Sequence, residues 1–158
     1  RNPSFLSAVL NTNKMRSTHF VNLVEKELGG LVGKKIAVLG LAFKPQTDDT
    51  RESPSIPIIK NLIAKKASVW VYDPVVNLKN TKSLFKNLNL EFCDSLNKVI
   101  KGKDACLLIT KWEEFRKITP ELLQKEMKNP VLIDGRGFFD PKDFTGKIKY
   151  IGIGLGRK

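Results

Sequence analysis

The stretch from Lys35 to Pro54 constrains this chain more than any other. Lys35 to Leu39 is an apolar, β-branched-rich run that Gly40 interrupts. Ser53-Pro54 then carries the residues of a helix start, with Ser53 as N-cap and Pro54 in the first turn. A strand that passes through a glycine turn into a helix is the repeating unit of a parallel sheet. The alternation continues downstream. The pattern predicts a helix from Ser53 to Ala64, a strand at Val69-Trp70-Val71-Tyr72 ended by Asp73-Pro74, and a helix over Leu78 to Asn87. A short strand from Leu90 to Cys93 and a helix capped by Asp94 and running to Ile100 follow. Ala105 to Ile109 reads as a buried strand, Thr119-Pro120-Glu121 opens a helix to Met127, Val131-Leu132-Ile133 is another strand, and Tyr150-Ile151 is placed to close the sheet. The implied fold class is α/β, a mostly parallel sheet with helices on both faces.

Ahead of this unit, Phe5, Leu6, Val9, Leu10, Phe20, Leu23, Val24 and Leu28 recur at helical spacing between Pro3 and the stop signal Gly29-Gly30. The stripe of this long amphipathic helix is wider than one small domain requires, so part of it is expected to pack on another domain or subunit. The chain begins at Arg1 and is expected to be a fragment of something longer.

At 158 residues, with 41% hydrophobic and 28% charged residues, the chain has the make-up of one globular domain. No apolar run approaches the roughly 20 residues of a membrane span, and a cytoplasmic location is the expectation. Cys93 and Cys106 have neither metal-ligand nor disulfide-framework spacing, and Cys106 sits in an apolar run as a small buried hydrophobe would. The balance of 28 basic against 16 acidic residues, a net +12, favours an acidic partner: nucleic acid, a membrane surface or a polyphosphate ligand. The lysines are nevertheless scattered, as a solvated surface would have them.

Phosphates bind where a parallel strand turns into a helix, because backbone N–H groups and the helix N-terminus face the anion. The turn Gly40-Leu41-Ala42-Phe43-Lys44-Pro45 adds Lys44, and Arg51 lies a few residues on. It is no standard dinucleotide loop: only the first glycine of G-x-G-x-x-G is present, Ala42 narrows the backbone approach, and Pro45 removes a donor. Side-chain cations are therefore expected to do more of the holding. Asp73 has two roles open to it, a ribose contact or an Asx-type turn with Pro74. Asp48, Asp49 and Glu52 are expected to cap the following helix and interact with its dipole, or to pair with Arg51. Arg136, in the turn Asp134-Gly135-Arg136-Gly137, either meets the same anion as Lys44 or pairs with Asp134 or Asp140. The single histidine, His19, lies on the opening helix, so no Ser-His-Asp or Cys-His set forms, and no metal-ligand spacing appears.

The segment GLAFKPQTDDTRESPS, Gly40 to Ser55, closely resembles the signature that opens the C-terminal domain of the UDP-glucose/GDP-mannose dehydrogenase family. Val71-Tyr72-Asp73-Pro74, Thr110-Lys111-Trp112-Glu113-Glu114-Phe115, Asp134-Gly135-Arg136 and Tyr150-Ile151-Gly152-Ile153-Gly154 match further family segments in order, and the resemblance covers about Val32 to Gly154. It implies a Rossmann-like domain that holds the UDP part of a nucleotide sugar. Phe43 and Lys44 would contact the UDP-sugar, Arg136 would be a second substrate contact, and Arg51 would reach across a cleft toward NAD. It further implies that residues 1–30 are a connector and dimerisation helix and 31–158 the UDP-sugar-binding domain. The whole enzyme, a homo-oligomer, would oxidise a sugar 6-hydroxyl to a carboxylate in two hydride transfers through a cysteine-bound intermediate. NAD would be bound mainly by an N-terminal domain that, like the catalytic cysteine, belongs upstream. This chain would then contain no catalytic residue and be inactive alone. UDP-glucose is the substrate the T-D-D-x-R-E-S-P version leans toward. The alternative is a stand-alone basic module for nucleotides or nucleic acid, although no aromatic platform is interleaved with the basic residues.

Overall fold

The computed structural model describes residues 4–76, 81–86 and 88–153, with side chains described from Met15 onward except at Lys82. Helix α1 (Ser4–Leu28) precedes the alternating unit β1 (Lys35–Leu39), α2 (Ser55–Ala64), β2 (Ser68–Tyr72), β3 (Leu90–Phe92), α3 (Leu96–Ile100), β4 (Ala105–Leu108), α4 (Pro120–Glu126), β5 (Val131–Asp134), α5 (Pro141–Phe144) and β6 (Lys149–Gly152). The six strands form one sheet in the order β3-β2-β1-β4-β5-β6, and every pairing is parallel. This is the doubly wound arrangement. The strand order reverses between β1 and β4, and right-handed crossovers then put the helices on opposite faces. Accordingly α1 packs beside α2, while α3 packs against α4.

Central strands covered on both faces should be apolar throughout rather than alternating. β4 (ACLL) and β5 (VLID) are buried at every position, and β1 is buried after Lys35. The edge strands β3 and β6 keep partly exposed positions instead.

The opening helix ends at the glycine pair: Gly29 has φ +66°, Gly30 N–H donates to the Glu25 carbonyl and Gly29 N–H to that of Lys26. That is the double-bonded glycine stop that satisfies the last carbonyls of a helix. Phe20, Val21 and Val24 are buried, whereas the stripe residues Phe5, Leu6, Val9 and Leu10 lie outside the described side chains. Phe20 lies against Gly135, just past β5, and Lys149 at the start of β6 reaches the Glu27 carbonyl and carboxylate. The helix thus runs antiparallel to the strands. Sixteen helical residues, about 24 Å at 1.5 Å per residue, precede Phe20.

Three helix starts differ from expectation. The second helix begins at Ser55 with Pro54 at the N-cap position, although Ser53 still accepts the Ser55 and Ile56 amides. Ser95 rather than Asp94 holds the N-cap position of α3, and Asp94 pairs instead with Lys98 one turn on. In the region expected to be helical over Leu78–Asn87, residues 77–80 and 87 lie outside the described residues, and Lys82–Phe85 is a 3-10 turn. Thr119 does cap α4, accepting the Leu122 amide ahead of Pro120.

Gly40 is the most closely packed of the described glycines. It has φ +95°, and a Cβ there would sit 2.6 Å from the Thr110 amide nitrogen and 2.7 Å from its hydroxyl. Gly29 shares the left-handed conformation but faces open space. Gly29→Ala should therefore lose only about 1–2 kcal/mol of backbone energy. Gly40→Ala adds a clash against backbone and should lose at least about 3 kcal/mol in denaturant unfolding.

Candidate functional site

Ligands of such sheets bind outside the carboxyl ends of the strands, at the point where the strand order reverses. Here that point is the β1–β4 gap. Gly40 N–H donates to the Tyr72 carbonyl, Thr110 Oγ1 to the Ala42 carbonyl at 2.7 Å, and Ser55 Oγ to the Gly40 carbonyl at 2.7 Å. Ser55 and Thr110 are fully buried, so three elements clamp the turn after β1. Beyond it the chain forms a closed loop, Phe43 N–H to the Asp49 carbonyl at 2.8 Å, with Gln46 at φ +65°. Phe43, Lys44, Pro45 and Gln46 are all exposed on this loop, Phe43 to 46% despite its apolar ring.

Asp73 controls the floor. Its Oδ2 accepts the Leu41 amide at 2.7 Å, the Ala42 amide at 3.1 Å and the Trp112 indole N–H at 3.0 Å, while Oδ1 accepts the Val75 and Val76 amides at 3.0 Å. Of the two roles open to this residue, the Asx-type turn is realised, and both oxygens are consumed inside the protein. The expected presentation of backbone N–H groups to a ligand is also corrected: the Leu41 and Ala42 donors are spent on Asp73, and Ile56 near the start of α2 on the Ser53 carbonyl.

Asp134 at the end of β5 repeats the device. Fully buried, it accepts the Arg136 amide through Oδ1 and the Phe138 and Phe139 amides and the Tyr150 hydroxyl through Oδ2. Burial and this carboxylate push the Tyr150 phenol well above its ordinary pKa. The tight turn aims Arg136 outward, and its guanidinium reaches the Phe43 carbonyl at 3.4 Å. Phe43 and Arg136 are thus brought together across 93 residues. Arg136 meets Asp134 through its amide and not through a side-chain pair.

Arg51 is placed differently. Its side chain is 87% exposed and folds back onto Asp49, with Nε 3.0 Å from Oδ1 and Nη2 2.9 Å from Oδ2. Asp49 therefore pairs with Arg51 and caps no helix, for α2 has no side-chain cap. These bonds, helped by Lys44, hold the Asp49 carboxyl down at about 2.

Two open clefts flank the loop. One of about 380 Å³ is lined by Pro45, Lys111, Gly135, Arg136, Gly137 and Ile153. The other, about 540 Å³, shares Pro45, Lys111 and Gly137 and adds Trp112, Arg116 and Phe138 among its walls. Lys111 lines both clefts, yet it was not singled out from the sequence; its place in the Thr110–Phe115 segment was the available signal. Both cysteines are buried, and burial pushes the Cys106 thiol up to about 12 and that of Cys93 upward. Among the described residues no group of three His, Cys, Asp or Glu side chains could hold a metal ion.

The UDP binding domain of the UDP-glucose/GDP-mannose dehydrogenase family matches residues 37–141, and the chain belongs to that family. It is 42% identical over 132 residues to a UDP-glucose 6-dehydrogenase of Rickettsia bellii, covering 83% of this chain and 30% of the relative. To UDP-glucose 6-dehydrogenase YwqF of Bacillus subtilis it is 32% identical over 150 residues, covering 94% of this chain and 34% of the relative. A UDP-glucose dehydrogenase structure from Pyrobaculum islandicum superposes with a TM-score of 0.76 at 27% identity, over 92% of this chain and 31% of the other. The chain thus spans about a third of the length of these relatives.

The Arg51–Asp49 pair has a direct test. A carboxylate whose pKa is depressed in the folded chain contributes its pairing at neutral pH and loses it as pH falls through about 2. Arg51→Ala should return the Asp49 carboxyl toward 3.8, read by carboxyl NMR titration. Thermal stability at pH 7 should barely change, because the pair is exposed.

Proposed function

We propose that this chain is the substrate-binding part of an NAD-dependent nucleotide-sugar 6-dehydrogenase that converts UDP-glucose to UDP-glucuronate in its full-length form. The observation that carries the proposal is the contact of the Arg136 guanidinium with the Phe43 carbonyl at the carboxyl edge of the sheet, next in sequence to Lys44, on a turn whose Leu41 and Ala42 donors are already spent. Lys44 and Arg136 supply the charge for a diphosphate, Arg136 in the fork geometry that suits phosphate oxygens. Exposed Phe43 supplies an apolar surface beside them. The names of the relatives support UDP-glucose as the sugar nucleotide.

In this account residues 31–158 hold the UDP-sugar, and residues 1–30 form a connector that also serves dimerisation. The 25-residue length of α1, running antiparallel to the strands, supports that role. NAD belongs mainly to a further domain. Arg51 would swing from Asp49 to meet it, a small rearrangement for an exposed pair. The catalytic cysteine would also lie outside this chain, which on its own would be inactive, and the intact homo-oligomer would work in the cytoplasm. No described helix is long and apolar enough to cross a membrane. The comparisons lend no support to the alternative of a stand-alone basic nucleic-acid module.

Calorimetric titration of UDP-glucose into the 158-residue chain tests the site. Lys44→Ala and Arg136→Ala should each lose about 1–3 kcal/mol, the value of a hydrogen bond to a charged group, or roughly 5- to 150-fold in Kd. Lys60→Ala, an exposed lysine on α2, should bind like the wild type. Wild-type affinity in both site variants would overturn the assignment.

A further inference from the structure

We infer that Asp73 is a built-in anion that occupies the phosphate seat of the β1 turn, closing this domain to dinucleotides and diverting ligand phosphates onto side-chain cations. In a dinucleotide-binding domain the amides after the first glycine of this turn face the pyrophosphate. Here the corresponding amides, Leu41 and Ala42, converge with the Trp112 indole on one carboxylate oxygen at 2.7, 3.1 and 3.0 Å. That is a three-donor anion site already filled by the protein's own charge, and its other oxygen takes two more amides. Asp73 is only 6% exposed, Leu41 and Ala42 not at all, so no phosphate reaches these donors while the carboxylate is present.

Two further features shut the seat. A dinucleotide loop passes directly into its helix, whereas here α2 begins fifteen residues after Gly40, at Ser55, with Pro57 in its first turn. The Ser55 and Ile56 amides are taken by Ser53. The donors that would bind an anion are thus accounted for, and the buried negative charge repels a second one. The phosphates of any ligand in the cleft then fall to side-chain cations: Lys111 and Arg136, which line it, and Lys44, the neighbour of the lining Pro45. Asp73 is a positioning and specificity-determining residue. Its role as an internal anion stands whether or not the UDP-sugar proposal does, though the diversion of substrate phosphates rests on that proposal.

The test is anion rescue. In Asp73→Ala the convergent donors face a gap the size of a carboxylate, which formate should fill. At constant ionic strength against chloride, formate should raise the melting temperature of Asp73→Ala by several degrees more than that of the wild type. Equal responses of the two proteins would overturn the inference. If the variant does not fold even in formate, the wild-type chain decides, with pyrophosphate titrated into an 15N-labelled sample. The Leu41 and Ala42 amide and Trp112 indole signals should stay fixed while those around Lys44 and Arg136 move. Saturable movement of the Leu41 and Ala42 amides would place the ligand in the seat and refute the inference. Fixed signals everywhere would leave the internal anion standing and count against the substrate site instead.

Discussion

One buried carboxylate, that of Asp73, ties the end of β2, the turn after β1 and the segment after β4 into a single floor. A hydrogen bond to a charged group is worth about 1.5–3 kcal/mol net, and a buried donor left unpaired loses more than a neutral pair would gain. Five donors on one side chain therefore make this corner of the fold depend on the Asp73 carboxylate. The Gly40–Thr110 contact lies between two segments held by that same group. The turn after β1 and Trp112, which lines one cleft, stand on that floor.

Asp134 does the same at the far side of the strand-order reversal, with three amides and the Tyr150 hydroxyl in place of four amides and an indole. The two aspartates divide the work. Each consumes the backbone donors of its own turn, and each leaves a cation above it: Lys44 past the first, Arg136 past the second. Backbone donors that usually meet an anion in this fold are spent internally here, and exposed cations stand beside them. Long side chains are individually flexible and pay entropy on binding. Contact between the Arg136 guanidinium and the Phe43 carbonyl restrains one of them beforehand.

The strand and helix alternation was legible because the central strands are continuous apolar runs bounded by Gly, Pro and Asp, a signal set by burial on both faces. Helix starts were less so. Ser53 and Asp94 are good N-cap residues by type, but a cap is chosen by local geometry, and Pro54 and Ser95 took those positions. Lys44 and Arg136 could be proposed as ligand cations from their charge and from their turns after β1 and β5 alone. The internal use of Asp73 could not, because an acid at the end of a second strand reads the same whether its oxygens face a ribose or the protein's own amides. That choice depends on Trp112, 39 residues away, and on backbone N–H groups that every sequence possesses. Lys111 was hidden for a similar reason: only the fold brings the segment after β4 beside Pro45 and Gly137.

A domain of dinucleotide-binding topology that holds a sugar nucleotide by side chains should bind UDP-glucose and leave NAD unbound. Calorimetric titration of UDP-glucose and of NAD, separately and at moderate salt, into the 158-residue chain tests it most directly. Saturable binding of UDP-glucose with NAD silent is the result the account predicts. Binding of NAD at least as tight as that of UDP-glucose would contradict it, because the backbone seat would then have to be open.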